Sequence, residues 1–192
     1  MHPGIVAAIA AVAVFATTLG ISYPLLALVL DRAGQSETFI GLNAAMAPLG
    51  ILISAPLIPW AAGLINPVKL AIGATIATGV LMASFAVITD PYWWFALRLG
   101  LGESINVLFV LSETWINQLA PTHKRGRIMG TYVTVISIGF AAGPLLVALV
   151  GTRGIAPFAI AFAGSMLAAP ILHLARNHLP AFPPGGTGGL LV

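Results

Sequence analysis

Three ionisable residues stand inside one otherwise apolar stretch: Arg98, Glu103 and Glu113 lie between Tyr92 and Leu119. Charge inside a bilayer is costly, so ionisable residues in a spanning segment mark polar pathways, proton relays or partner contacts. Read as a helix advancing ~100° per residue, the stretch places Gly102 ~40°, Glu113 ~60°, Asn106 ~80° and Asn117 ~100° from Arg98. Glu103 falls at the margin, at ~140°. These groups form one polar face over most of the helix, and Leu, Ile, Val and Ala make up the other. Arg98 and Glu113 are ~22 Å apart along the axis and cannot satisfy each other. Arg98 and Glu103, five residues apart, pair poorly. Asp31, Lys69 and Asp90 all sit at the ends of apolar segments. An under-paired set facing a cavity is therefore favoured over structural pairing. A glutamate held among apolar groups can load and release a proton near neutral pH. Glu113, on the side of Asn106, is the first candidate and Glu103 the second. Tyr23, beside Pro24 in the first apolar segment, is a further candidate for the lining.

Of the 192 residues, 59% are hydrophobic and only 7% are charged, against about 25% charged in a soluble domain. Such a chain cannot cover itself with polar surface, and the mean hydropathy of +1.02 agrees. It is expected to be an all-α integral membrane protein whose first partner is the lipid bilayer. The net charge of +3 rests on eight Lys and Arg. Lys124, Arg125 and Arg127 share one short turn, which orients a membrane protein and makes no stripe for nucleic acid. No cysteine is present, so there is no thiolate metal site, disulfide framework or cysteine nucleophile. With neither a HExxH nor a GxSxG motif, no metal, cofactor or enzyme activity is expected.

The elements that must position the polar face are six apolar spans, at residues 4–30, 38–64, 69–88, 92–119, 128–150 and 156–175. All are compatible with the ~20 residues a bilayer-spanning helix needs. Residues 1–176 thus read as a six-helix transmembrane bundle, and 177–192, rich in Pro and Gly, as a flexible linker or tail. The second span is dense in Gly and Pro (Gly41, Pro48, Gly50, Pro56, Pro59) and also holds Asn43. Such density is tolerated where neighbouring helices restore the backbone bonds. Gly139, Gly143 and Pro144 in the fifth span form a small-xxx-small pattern followed by a helix breaker, which close packing explains. With both termini cytoplasmic, the inner segments hold Lys69, Lys124, Arg125, Arg127 and Arg176 and the outer loops only Arg32 and Arg153. That distribution obeys the positive-inside rule, and the reverse orientation violates it. Trp93 and Trp94 then belong to an outer aromatic belt, Trp60 and Trp115 to an inner one.

Arg98-Leu-Gly-Leu-Gly102 resembles the arginine and glycine motif of the major facilitator superfamily. Gly139 to Pro144 resembles the start of that superfamily's antiporter motif, and Pro121 to Gly130 its connection between helices four and five. Ser112-Glu113-Thr114-Trp115-Ile116-Asn117 followed by Arg125-Gly126-Arg127 looks most like the YcaD-type branch. Two features depart from the pattern. The loop between spans two and three has Gly63 where the family carries an aspartate, and only Lys69 remains of its basic residues. Leu145 to Val150 lacks the later glycines of the antiporter motif. Leu30 to Gln35 is similar to the missing loop but lies one helix too early.

The resemblance implies the amino-terminal half of a twelve-helix transporter, built as 3+3 inverted repeats. It implies a bacterial inner-membrane protein that moves a small-molecule solute by alternating access, with protons as a candidate coupling ion. The second six-helix half would come from the same chain in full-length form or from a dimer partner. Arg98, Glu103, Asn106, Glu113, Asn117 and Tyr23 are the expected pathway residues. Gly102, Gly139, Gly143, Pro144, Lys124, Arg125 and Arg127 are the expected packing and gating residues. The alternative from another class is a non-transporting membrane scaffold or subunit whose span-four charges dock a partner.

Overall fold

The computed structural model describes residues 2–181. Its helices are α1 (Pro3–Arg32), α2 (Glu37–Ser54), α3 (Leu57–Leu64), α4 (Pro67–Val87), α5 (Trp93–Leu119), α6 (Arg125–Val150), α7 (Ala156–Met166) and α8 (Ala168–Leu174). Short 3-10 turns lie at Thr122–Lys124 and Arg176–His178. Among the described residues there is no strand, and six segments are long and apolar enough to cross a membrane. Of the expected tail, residues 182–192 lie outside the described part. Its first residues are tied to the bundle: Trp115 Nε1 donates to the Pro180 carbonyl at 3.1 Å, and Leu179 is buried.

Local chemistry sets the helix ends. Ser36 Oγ accepts from Phe39 N at 3.2 Å with Glu37 in the first turn of α2, a side-chain cap supported by favourable charge on the helix dipole. Asn66 Oδ1 caps α4 by accepting from Val68 N and Lys69 N. Past α1 and α6 the chain turns at Gly34 (φ 76°) and Gly151 (φ 83°), where only glycine avoids a Cβ penalty.

Two spans expected to be continuous are broken. The second divides at Ala55-Pro56 into α2 and α3, and the sixth at Leu167 into α7 and α8. Pro56 and Pro59 fall within one turn and deprive the Leu52 and Ala55 carbonyls of their helical donors. Pro170 does the same to Met166, where α7 ends. The single prolines Pro24, Pro48 and Pro144 leave α1, α2 and α6 continuous.

The packing has a two-fold pattern. The most extensive partners are α1 with α6 and α5 with α2; α4 lies against α5, and α7 and α8 lie against α1 and α4. Exchanging spans one to three for spans four to six reproduces this arrangement. Because three crossings reverse the direction of entry, the two repeats have inverted topology. The most enclosed helix is α1, with 67% of its apolar stretch buried, against 22% for α2 and 17% for α6. Spans two and five therefore flank the bundle and turn most of their surface outward.

Both principal pairs are held by glycine. A Cβ on Gly102 would fall on the Ala47 carbonyl of α2, and one on Gly50 on the Leu99 carbonyl of α5. On the other side, Gly143 abuts the backbone of Gly20 and Ile21, while Gly20 abuts the Phe140 carbonyl. Pro144 has no N–H to bond that carbonyl, so the proline following Gly143 leaves a free acceptor at the crossing. Gly139 adds contacts with Ala13, Ala16 and Thr17. By contrast, nothing lies within 4 Å of a Cβ built on Gly41. Gly102→Val and Gly143→Val should each cost about 3 kcal/mol or more, a fall of roughly 6–12 °C in the melting temperature of purified protein. Gly41→Ala should leave it unchanged. Equal melting temperatures for all three variants would mean that the crossings are looser than described.

Candidate functional site

Helix α5 lies between α1, α2 and α4, and the polar face along it meets a different neighbour at each level. At the level of Arg98 the side chain is only 2% exposed. Its Nη1 donates to the Ser22 carbonyl of α1 at 3.0 Å, and its Cζ lies 4.5 Å from the centroid of the Tyr23 ring. The Tyr23 ring, tilted against Phe140 of α6 at 6.2 Å, bridges the arginine and the α6 backbone crossing. The Arg98 Nε has no partner among the described residues. A buried guanidinium is thus held by one carbonyl and one aromatic face rather than by a carboxylate.

One turn inward, Gly102 is buried against Ala47, and then Asn106 donates from Nδ2 to the Ile51 carbonyl at 3.0 Å and to Ser54 Oγ at 2.9 Å. These bonds hold the last turn of α2, immediately before the break at Ala55-Pro56. Glu113 and Asn117 follow on the same side of α5 but are exposed. Between Asn106 and Asn117 the contact of α5 with α6 is polar: Ser112 Oγ and the Tyr132 hydroxyl lie 3.3 Å apart, both residues being buried. The polar face is therefore sealed over its first half and uncovered over its second. Glu103, half-buried, stands at the edge of this set. With Ser104 and Val107 it lines a cavity of ≈ 470 Å³ against α3 and α4.

Sequence reasoning did not single out Asn43. It is 1% exposed, and its Nδ2 has no partner among the described residues. The register of α2 on α5 follows from the Phe39–Phe95 ring pair at 4.9 Å and from the Ala47–Gly102 contact. It brings Asn43 to the level of Arg98. Two buried donors that lack acceptors, Asn43 Nδ2 and Arg98 Nε, thus lie at one depth near the junction of α1, α2 and α5. The signal in the sequence was a lone Asn in an apolar span, masked by the Gly and Pro around it.

The basic turn has another place. Lys124, Arg125 and Arg127 are exposed at the start of α6, where positive charge opposes the helix dipole. They do not serve helix stability. The tryptophans divide as well: Trp60 and Trp93 are exposed, whereas Trp94 and Trp115 turn inward, and Trp94 Nε1 donates to the Ile88 carbonyl.

Six membrane-spanning helices in two inverted triplets, with a polar seam along the fourth span, define the class: one six-helix bundle of the kind that builds secondary transporters. A family model of the Major Facilitator Superfamily matches residues 7–189, and the chain belongs to that superfamily. It is similar to an uncharacterized MFS-type transporter, YfkF, of Bacillus subtilis (strain 168), with 28% identity over 174 residues. That match covers 88% of this chain and 43% of the relative, so the chain spans less than half the length of that protein.

The geometry around Asn106 is open to a direct test. Asn106→Ala should destabilise the bundle by about 1–3 kcal/mol, because it removes two hydrogen bonds between α5 and the end of α2. Ser54→Ala should cost markedly less in the Asn106→Ala background than in the wild type, giving a coupling of about 0.5–3 kcal/mol in a double-mutant cycle. Additive effects would show that the two side chains do not share the bond.

Proposed function

We propose that this chain is the amino-terminal six-helix half of a secondary transporter that moves a small solute by alternating access. In this reading residues 1–176 form the bundle, both termini are cytoplasmic, the membrane is the bacterial inner membrane, and a second six-helix half faces α2 and α6. That half belongs to the same reading frame or to a second copy. The carrying observation is Arg98, a buried cation that among the described residues has no carboxylate partner and an unfilled donor, at the level of a second such donor on Asn43. Catalysis has no comparable support, since membership of the superfamily speaks for a transporter.

The solute in this reading offers an acceptor, a carboxylate or carbonyl oxygen, to Arg98 and Asn43 when α1 and α2 part. Tyr23 closes over the arginine when they come together. Glu113 lies where the polar face is open and carries the coupling proton there, with Asn117 lining the same open face. Lys124, Arg125 and Arg127 orient the bundle and, with Gly102, Gly139, Gly143 and Pro144, limit how the helices rock. Five of the basic residues at span ends lie on the side that holds the termini and two on the other, which supports cytoplasmic termini.

The test is flux. The complete reading frame containing this chain is reconstituted in phospholipid vesicles loaded with a pH-sensitive dye and challenged with a panel of small carboxylates, amides and sugars. Wild-type protein should show a pH change that depends on one class of solute. Arg98→Leu should lower its rate by roughly 10- to 150-fold, the worth of one charge-assisted hydrogen bond. Glu113→Gln should retain solute exchange and lose the pH change. Absence of any solute-dependent flux, together with a fixed membrane subunit co-purifying in constant ratio, would replace transport by the docking role.

A further inference from the structure

At the end of the bundle that holds His2 and His178, two cavities meet at one lysine. The first, ≈ 470 Å³, is the groove between α3, α4 and α5, with Ile58, Leu70, Gly73, Ala77 and Val107 among its walls. The second, ≈ 350 Å³, lies at the water-facing end of α4 and α8 and is lined by Asn66, Lys69, Arg176 and Asn177. Lys69 borders both. From Lys69 to Ala77 the groove runs ~12 Å along α4 at 1.5 Å per residue. An apolar channel within the membrane thickness thus opens into a cationic pocket at its boundary.

Beyond orienting the bundle, the charges in that pocket do nothing for helix stability. Lys69 stands in the first turn of α4, which contains no acidic residue, and there a cation opposes the helix dipole. Arg176 contacts His173, and both are exposed. An anion between Lys69 and Arg176 would neutralise both and would sit at the positive end of α4. Basic pockets between transmembrane helices bind anionic lipid head groups in this way. Glu103 lines the groove toward the bundle's mid-depth and fixes the polarity of the occupant: the anionic head stays at Lys69 and the apolar chain points inward.

We infer that Lys69 and Arg176 hold the phosphate of an anionic phospholipid from the adjoining leaflet, with one acyl chain lying in the groove between α3, α4 and α5. This site adjoins the polar seam of α5 at Ser54, whose hydroxyl accepts from Asn106, and needs no assumption about the solute. Bound there, the lipid bridges α4 and α8 and fills the space beside the break between α2 and α3.

The full-length protein is purified from membranes containing phosphatidylglycerol and phosphatidylcholine, washed in mild detergent, and its retained lipid measured by mass spectrometry. Phosphatidylglycerol should be enriched over phosphatidylcholine. The double variant Lys69→Gln, Arg176→Gln should bind it roughly 30-fold more weakly, from about a fivefold contribution of each basic residue. Arg153→Gln, at the opposite end, should leave retention unchanged. Gly73→Leu offers a second route, because nothing lies within 4 Å of a Cβ at Gly73. That side chain should fit without strain, fill the groove and expel the lipid with both cations intact. Retention of the two lipids in their membrane ratio, or equal retention by the double variant, would overturn the site. Displacement by inorganic phosphate with retention unaffected by Gly73→Leu would show a phosphate pocket without an acyl groove, and so would also overturn it.

Discussion

Everything in the bundle depends on how closely two pairs of helices approach. Lipid tails are as apolar as leucine, so helices in a bilayer gain nothing from hiding apolar surface from one another. Cohesion has to come from van der Waals contact and polar bonds, and both fall off within an ångström or two. Gly20 with Gly143, and Gly50 with Gly102, let backbone meet backbone. At the second of these crossings Asn106 reaches the end of α2, while Arg98 ties α5 to a carbonyl of α1. The crossing of α1 and α6 gains from Pro144 as well, since the carbonyl that this proline frees lies over Gly20. A free carbonyl in lipid would be costly; here it faces the Cα of a glycine.

The same closeness decides where span two breaks. Pro24, Pro48 and Pro144 each remove one helical bond and the helix continues. Pro56 and Pro59 remove two within a turn, and the helix stops. Just before the break the end of α2 is tied to α5, where Asn106 donates to the Ile51 carbonyl and to Ser54 Oγ. Asn106 therefore acts first as a tether for the end of α2, and Ser54 shares in it.

The sequence made the spans legible because apolar length is a one-dimensional property. Among the described residues six segments are long and apolar enough to cross a membrane, with breaks in the second and sixth spans that hydropathy did not show. The helical wheel of α5 was legible for the same reason. What a wheel cannot say is which neighbour covers each level of a face. Arg98 and Asn106 share a side with Glu113 and Asn117, yet the first two are sealed and the last two are exposed. The break at Pro56 was written in the local sequence, but Asn106, which ties down the helix end before it, sits about fifty residues later in the chain. The inward turn of Trp94 and Trp115 likewise depended on carbonyls supplied by other segments, Ile88 and Pro180. Asn43 was invisible because a single amide in a Gly- and Pro-rich helix carries no pattern. Only its register against Arg98 gives it meaning.

The two polar anchors of α5 differ in a way that bears on movement. Asn106 donates two bonds to the end of α2, so separating α2 from α5 at that level strips its amide of both partners in an apolar medium. Arg98 is held by one carbonyl and one ring, and part of its donor capacity is unused. Those two interactions together amount to about 2–5 kcal/mol. Moving a two-state equilibrium from 1:99 to 99:1 takes about 5.5 kcal/mol. On the transport reading, a solute that fills the unused donors and draws the guanidinium off the α1 carbonyl works on the right energy scale to shift α1 against α5. Asn106 then belongs to the fixed frame and Arg98 with Tyr23 to the moving part, although they stand only two turns apart on one helix.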